Sequence, residues 1–179
     1  MILKTVKITE NFSNMDKLDT LAQEAFPPKE YLPPSRLIEM SREDEFDFLA
    51  LYDSDKFVGF MAVVTHKSIA YLFFLAIDKA LRGNGYGSSA LKTLRSSYPD
   101  FRHVVDFEIV DKRAENNEQR KKRRLFYLKN GYKPTGHFLS YLGVDYEIFC
   151  TDKTFDLYEF RELMSRLNID GFHPKYFEK

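Results

Sequence analysis

Arg82, Gly83, Asn84, Gly85, Gly87 and Ser88 lie between an apolar run, Tyr71-Leu72-Phe73-Phe74-Leu75-Ala76-Ile77, and a helical pattern, Ala90 to Arg95. A strand therefore feeds a glycine-rich turn, and the turn opens a helix. Glycines let backbone N–H groups converge without Cβ obstruction. The first N–H groups of a helix lack internal partners and sit at the positive end of its dipole. Such a turn is a cradle for an anion, best suited to a phosphate or pyrophosphate. A P-loop would need a Lys after its last glycine, and none follows Gly87. A dinucleotide fingerprint counted from Gly83 and Gly85 would need glycine or alanine where Ser88 stands. Asp106 has roughly the spacing of that fingerprint's acidic residue, but it sits inside a strand-like run.

Two further groups of residues have types suited to chemistry. Asp106 and Glu108 share one face of the β-branched run His103 to Val110, because side chains alternate along a strand. Carboxylates on an otherwise apolar strand fit either proton abstraction or a salt-bridged edge, and the residues alone leave both open. Glu147, Asp145 and His137 are weaker candidates. Gln119-Arg120-Lys121-Lys122-Arg123-Arg124 is a basic run within a helical pattern, read as a solvated helix surface or as a phosphate contact.

The elements that must position these groups follow from periodicity and punctuation. Ile2 to Ile8 reads as a first strand. Met15, Leu18, Leu21, Ala22, Ala25 and Phe26 recur at helical spacing, with Asn14 as cap and Pro27-Pro28 as stop. Arg36 to Ser41 forms a short second helix after Pro33-Pro34. Phe46 to Tyr52, Lys56 to Val64 and Ile69 to Ile77 make three successive antiparallel strands, the first two joined by Asp53-Ser54-Asp55. The helix after the glycines ends near Tyr98, before Pro99. Asn116 to Asn130 is a helix with Leu125, Leu128 and Phe126 as its apolar positions and Gly131 as terminator. Tyr132 to Leu139 and Asp145 to Cys150 are strands. Thr154 to Leu167 is an amphipathic helix with Phe155, Phe160, Leu163, Met164 and Leu167 on one side and Thr154 as cap. The last residues, Ile169 to Lys179, show no clear pattern.

Composition narrows the class. The chain has 179 residues, 44% hydrophobic and 16% aromatic, enough for a sizeable core and against wholesale disorder. The length suggests one domain. A net charge of zero argues against a protein built to coat nucleic acid or anionic lipid. Cys150 is the single cysteine, so no internal disulfide forms; it is read as structural, in a reducing interior. The first residues lack a signal-peptide apolar region, and no apolar run reaches membrane-spanning length. A soluble cytoplasmic protein is expected, with no nucleic-acid or membrane partner.

The pattern Arg-x-x-Gly-x-Gly from Arg82 to Gly87 resembles the acetyl-CoA pyrophosphate loop of the GNAT superfamily of N-acetyltransferases. A second local match, Leu125-Phe126-Tyr127-Leu128-Lys129-Asn130-Gly131-Tyr132, is similar to the family's Leu/Phe-Tyr-x-x-x-Gly-Phe/Tyr segment. The element order matches the family along nearly the whole chain to Cys150. The resemblance implies an α+β fold with a mixed sheet splayed between its fourth and fifth strands. Residues 1–150 would form the acetyltransferase domain, and residues 151–179 a C-terminal helical extension packed on it.

The resemblance further implies direct transfer of an acetyl group from acetyl-CoA to a primary amine of a small molecule or peptide, without a metal. Arg82, Gly83, Asn84, Gly85, Gly87 and Ser88 would hold the diphosphate. The backbone of Leu75, Ala76 and Ile77 would pair with the pantetheine arm and face the thioester carbonyl. Tyr127 matches the family's tyrosine acid, and Glu108 is the candidate base, unless the amine loses its proton to water. The family commonly has Asn and Ala where this chain has Arg120 and Arg123. The Asn contact to the cofactor would then be missing or come from Asn116 or Asn117. The alternative is a non-enzymatic acyl-CoA-binding or sensor protein on the same fold. Acidic residues at Glu43-Asp44-Glu45 and at Asp106 and Glu108 mildly favour a cationic amine. The protein would be a monomer, or a homodimer using the C-terminal helix.

Overall fold

Eight strands and five α-helices arise in a computed structural model that describes all 179 residues, Met1–Lys179. They run β1 (Lys4–Lys7), α1 (Met15–Ala25), α2 (Pro34–Met40), β2 (Phe46–Asp53), β3 (Lys56–His66) and β4 (Ile69–Ile77). Then come α3 (Tyr86–Ser97), β5 (Arg102–Glu108), α4 (Asn117–Lys129), β6 (Lys133–Tyr141), β7 (Val144–Cys150), α5 (Leu157–Ser165) and β8 (Lys175–Glu178). The chain forms two compact units, one of Met1–Thr65 and Leu72–Pro99, the other of His66–Tyr71 and Asp100–Lys179. Strand β4 contributes Ile69–Tyr71 to the second unit and Leu72–Ile77 to the first.

In the first unit the strand order is β1-β2-β3-β4. Strands β1 and β2, and β2 and β3, pair antiparallel. Alternation along β2 buries Phe46, Phe48 and Ala50, and β3 is buried almost throughout. Phe48 meets Phe60 edge-on at 5.6 Å, and Phe26, just past α1, meets Phe74 at 4.5 Å. Helix α1 buries Leu18, Leu21 and Ala22, and α3 buries Ala90, Leu91 and Leu94. Each such large apolar side chain contributes about 1.5–3 kcal/mol by leaving water. Asn14 flanks α1 as expected, but its amide donates to the Tyr52 hydroxyl at 3.0 Å instead of capping the helix. Pro34 opens α2 at its first position, where a missing N–H costs nothing.

The second unit has the order β5-β7-β6-β8, all antiparallel, with the start of β4 parallel to β5. That parallel pairing joins Ile69–Tyr71 to Arg102–Val104. Helix α5 buries Phe160, Leu163 and Met164. Its cap is Asp156, which accepts from the N–H groups of Tyr158 and Glu159; the expected cap, Thr154, lies outside the helix. Glu159 is buried and accepts from Ser68 and Arg102, which ties α5 to the turn before β4 and to β5. The tail, unreadable by periodicity, adds strand β8 along β6, pairing Leu139 with Tyr176. The extension after Cys150 is therefore a helix and a strand, not helical alone. A second correction concerns α4. Leu125 is 54% exposed and Leu128 37%, so neither is a core position; Tyr127 is the buried residue.

Candidate active site

The glycine turn has the local geometry that its sequence implies. After β4, Asp78 caps a short 3-10 turn, Lys79–Leu81, by accepting from the Ala80 N–H at 2.9 Å. Arg82 folds back, and its Nε donates to the Ile77 carbonyl at 3.0 Å. The guanidinium thus ties the loop's far side to the end of β4. Gly83 and Gly85 both take φ 83°, a conformation that strains any residue with a Cβ. Gly85 is the N-cap of α3 and has no side chain to bond the helix end. The first intrahelical bond there is from the Ser89 N–H to the Gly85 carbonyl, at 3.0 Å. The N–H groups of Tyr86, Gly87 and Ser88 precede it, at the positive end of a twelve-residue helix. A Cβ built on Gly83 or Gly85 meets nothing within 4 Å, so the space above the loop is open. These features suit an anionic diphosphate. Tyr86 fixes the start of the helix by donating to Asp53 at 2.8 Å. Nothing in the local pattern announces that contact, because Asp53 sits in a distant hairpin.

The end of β4 approaches β3 unusually closely. A Cβ on Gly59 would stand 2.1 Å from the Ala76 carbonyl oxygen, so only glycine fits. The β2–β3 register shifts beside it, between Leu51 and Tyr52, and the Asp78 N–H bonds the Val58 carbonyl at 3.0 Å. This packing sets the path of the backbone at Leu75, Ala76 and Ile77.

In the second unit Tyr127 lies flat on Phe107, with ring centroids 5.1 Å apart and planes 11° from parallel. Tyr132 and Phe126 meet its edges. Burial pushes its phenol up to about 12, partly opposed by the nearby charge of Arg123. The group stays protonated at neutral pH.

Glu108 is buried and held on both sides. Arg120 donates to its Oε1 at 2.9 Å and Arg123 to its Oε2 at 3.1 Å. The Asn116 amide donates to both oxygens, at 3.3 and 3.2 Å, and the Asn116 carbonyl accepts from Arg120 Nε at 2.7 Å. Arg120 also donates to the Ile109 carbonyl at 3.1 Å. Two guanidinium groups and an amide engage both carboxylate oxygens, which makes Glu108 a brace between β5 and α4. Asn116 belongs to that brace. Arg124 likewise forks onto Glu147 of β7, at 2.9 and 3.3 Å. The basic run is thus neither a solvated face nor a free phosphate patch at these three arginines: it clamps α4 to the sheet. Gln119, Lys121 and Lys122 are exposed and follow the surface reading, with Lys121 pairing with Glu118 one turn away.

The other expected site residues are scattered. His137 stands near Glu178 and Phe155. Asp145 faces Lys179 at 4.0 Å. Cys150 is buried, and burial pushes its thiol up. No group of three or more His, Cys, Asp or Glu side chains is arranged to hold a metal ion. No helix is long and apolar enough to cross a membrane.

A family model described as an acetyltransferase (GNAT) domain matches residues 44–134, just over half of the chain. The chain therefore belongs to the GNAT acetyltransferase family, whose chemistry is acyl transfer. Among solved structures, it is similar to a GNAT-family acetyltransferase described from Bacteroides thetaiotaomicron, with 22% identity and a TM-score of 0.68, covering 89% of this chain and 92% of that one. An aminoglycoside 6'-N-acetyltransferase complexed with coenzyme A is 20% identical, with a TM-score of 0.63, over 82% of this chain and 95% of that one. The ribosomal-protein-S18-alanine N-acetyltransferase from Escherichia coli is 13% identical, with a TM-score of 0.60, over 87% and 96%. At such identities the likeness establishes the fold, and the expected α+β mixed sheet is the one found. No curated protein sequence matches the chain.

Proposed function

We propose that the protein is an acetyl-CoA-dependent N-acetyltransferase that moves the acetyl group directly to a primary amine of a small molecule or peptide. The observation that carries this reading is the loop at residues 82–88. Its amides open α3, a glycine caps the helix, and Arg82 ties the turn to the end of β4. Acetyl-CoA, when bound, supplies the acetyl group as a thioester. The loop N–H groups hold its diphosphate. The backbone of Leu75 and Ala76 positions its pantetheine arm by strand-like pairing, with an N–H directed at the carbonyl oxygen. A neutral amine attacks the carbonyl carbon, the C–S bond breaks, and the amine's surplus proton passes to water. The Tyr127 hydroxyl gives its proton to the departing sulfur and is restored from solvent. A phenol held as tightly as this one yields its proton only as charge develops on the leaving group.

Glu108 has no step in this scheme. Both of its carboxylate oxygens are engaged by Arg120, Arg123 and Asn116, which supports a bracing role. Calorimetric titration with acetyl-CoA, followed by a thiol-release assay across a panel of amines, tests the proposal. Saturable binding and amine-dependent thiol release are the expected results. Binding without release for any amine would favour a sensor, and no binding would overturn the reading.

A further inference from the structure

Helix α5, the turn after it and the start of β8 line a cavity of about 590 Å³. All of its lining lies in the second unit and beyond the residues of the family match. Three pieces of sequence build it. Met164 of α5 and Leu167, just past the helix, are buried and give it an apolar lining. The chain then reverses: the Phe172 N–H donates to the Ile169 carbonyl at 3.1 Å. Gly171 takes φ 74° at the third position of that turn, where glycine is favoured. Phe172 is fixed by an edge-on contact with Tyr141 of β6, with centroids 5.0 Å apart. Pairing of Tyr176 with Leu139 holds β8 on the sheet.

One charged group stands out in this lining. The Arg161 guanidinium lies 5.1 Å from the centre of the Tyr176 ring. It forms no ion pair, because Glu162, its neighbour in sequence, pairs with Lys67. No acidic side chain lines the cavity, and His173 adds an imidazole. Burial pushes the Tyr176 phenol up to about 12, so it stays neutral beside the guanidinium. The Arg161 charge opposes that rise more than the Asp106 charge adds to it.

We propose that this cavity binds a small organic carboxylate with an apolar body, its carboxylate on Arg161 and its body against Met164, Leu167 and Phe172. A guanidinium is a planar fork that matches a carboxylate with two parallel hydrogen bonds. Resting on an aromatic ring, it has less freedom left to lose when the ligand arrives. The apolar lining selects against a compact, strongly hydrated anion such as inorganic phosphate, whose lost water it would not replace. The volume falls within the range of roughly 300–1,000 Å³ common to small-molecule sites. None of these residues has a part in acetyl transfer, and the inference stands apart from that reading.

Calorimetry of the whole chain with octanoate, acetate, 1-octanol and inorganic phosphate tests it. Octanoate should saturate a single site at least tenfold more tightly than any of the other three, since each lacks the charge, the body or both features together. Arg161→Gln, a change at an exposed position, should weaken octanoate by about tenfold, the lower end for a hydrogen bond to a charged group. The chain has no tryptophan, so Phe172→Trp sets a single fluorophore in the cavity lining. Its emission should change saturably with octanoate, at the concentrations that calorimetry finds for the parent. No saturable octanoate binding would overturn the inference. So would equal binding of octanol or phosphate, an Arg161→Gln variant with the parent's affinity, or octanoate binding that leaves the tryptophan emission unchanged.

Discussion

Two carboxylates on one strand, Asp106 and Glu108, show how partners decide a residue's role. Glu108 is met by two guanidinium groups and an amide that all come from α4 or its cap. Its charge is matched inside the protein, and its position is locked. Asp106 is met by phenols from β4 and β6, which direct its carboxylate. The first arrangement braces a helix on a sheet; the second joins β5 to β4 and β6 through tyrosine hydroxyls. Strand alternation groups the two residues, yet their surroundings separate them. A carboxylate on an apolar strand is therefore informative only once the nature of its donors is known.

The sharpest contrast between a group that acts and a group that braces comes from Tyr127→Phe. The stacked ring is kept and only the hydroxyl goes. Steady-state thiol release should show kcat lower by about a hundred- to ten-thousandfold, the range for a general acid, with acetyl-CoA affinity unchanged. Unchanged kcat would remove Tyr127 from the chemistry.

Glu108→Ala should do the reverse. Removing one partner of a buried pair leaves the Arg120 charge uncompensated and costs roughly 3 kcal/mol. Urea denaturation would read this, while turnover per folded molecule stays near that of the parent. Loss of turnover in a protein that remains folded would return Glu108 to the role of base and dissolve the comparison.

Alkaline pH probes the buried phenols more gently. The folded-state value of Tyr127 is raised from 10.0 to about 12. Its contribution to stability is therefore complete below pH 10 and fades as pH rises through about 12. Tyr127→Phe should flatten that alkaline loss in a thermal melt. The smallest effect belongs to Leu125→Ser. The side chain is 54% exposed, so the change should stay within about 0.5 kcal/mol. A larger loss would mean that α4 is covered on its outer side.

The glycine loop was legible because its geometry is local. A strand, three glycines and a helix start within a few residues dictate the converging amides. Strands β4 and β7 and the helix after the loop were equally plain, since alternation, apolar runs and breakers report on neighbours in sequence. What stayed hidden depends on distant partners. Apolar spacing suggested Leu125 and Leu128 for the inner face of α4, but arginines reaching Glu108 and Glu147 dock that helix. The basic run could not reveal this, because its partners lie on β5 and β7. Strand β8 was missed because a four-residue edge strand gains its order from pairing with β6. The hydroxyls that meet Asp106 come from Tyr71 of β4 and Tyr141 of β6, and no sequence window contains all three residues.

The account stands on main-chain amides at the start of α3 gripping the diphosphate of acetyl-CoA. Isothermal titration of the intact chain with acetyl-CoA, repeated with Gly87→Glu, addresses this directly. The prediction is a single saturable site in the parent and its loss in the variant, where a carboxylate is set against the anion. Absence of saturable heat in the parent, or equal affinity in both proteins, would contradict it.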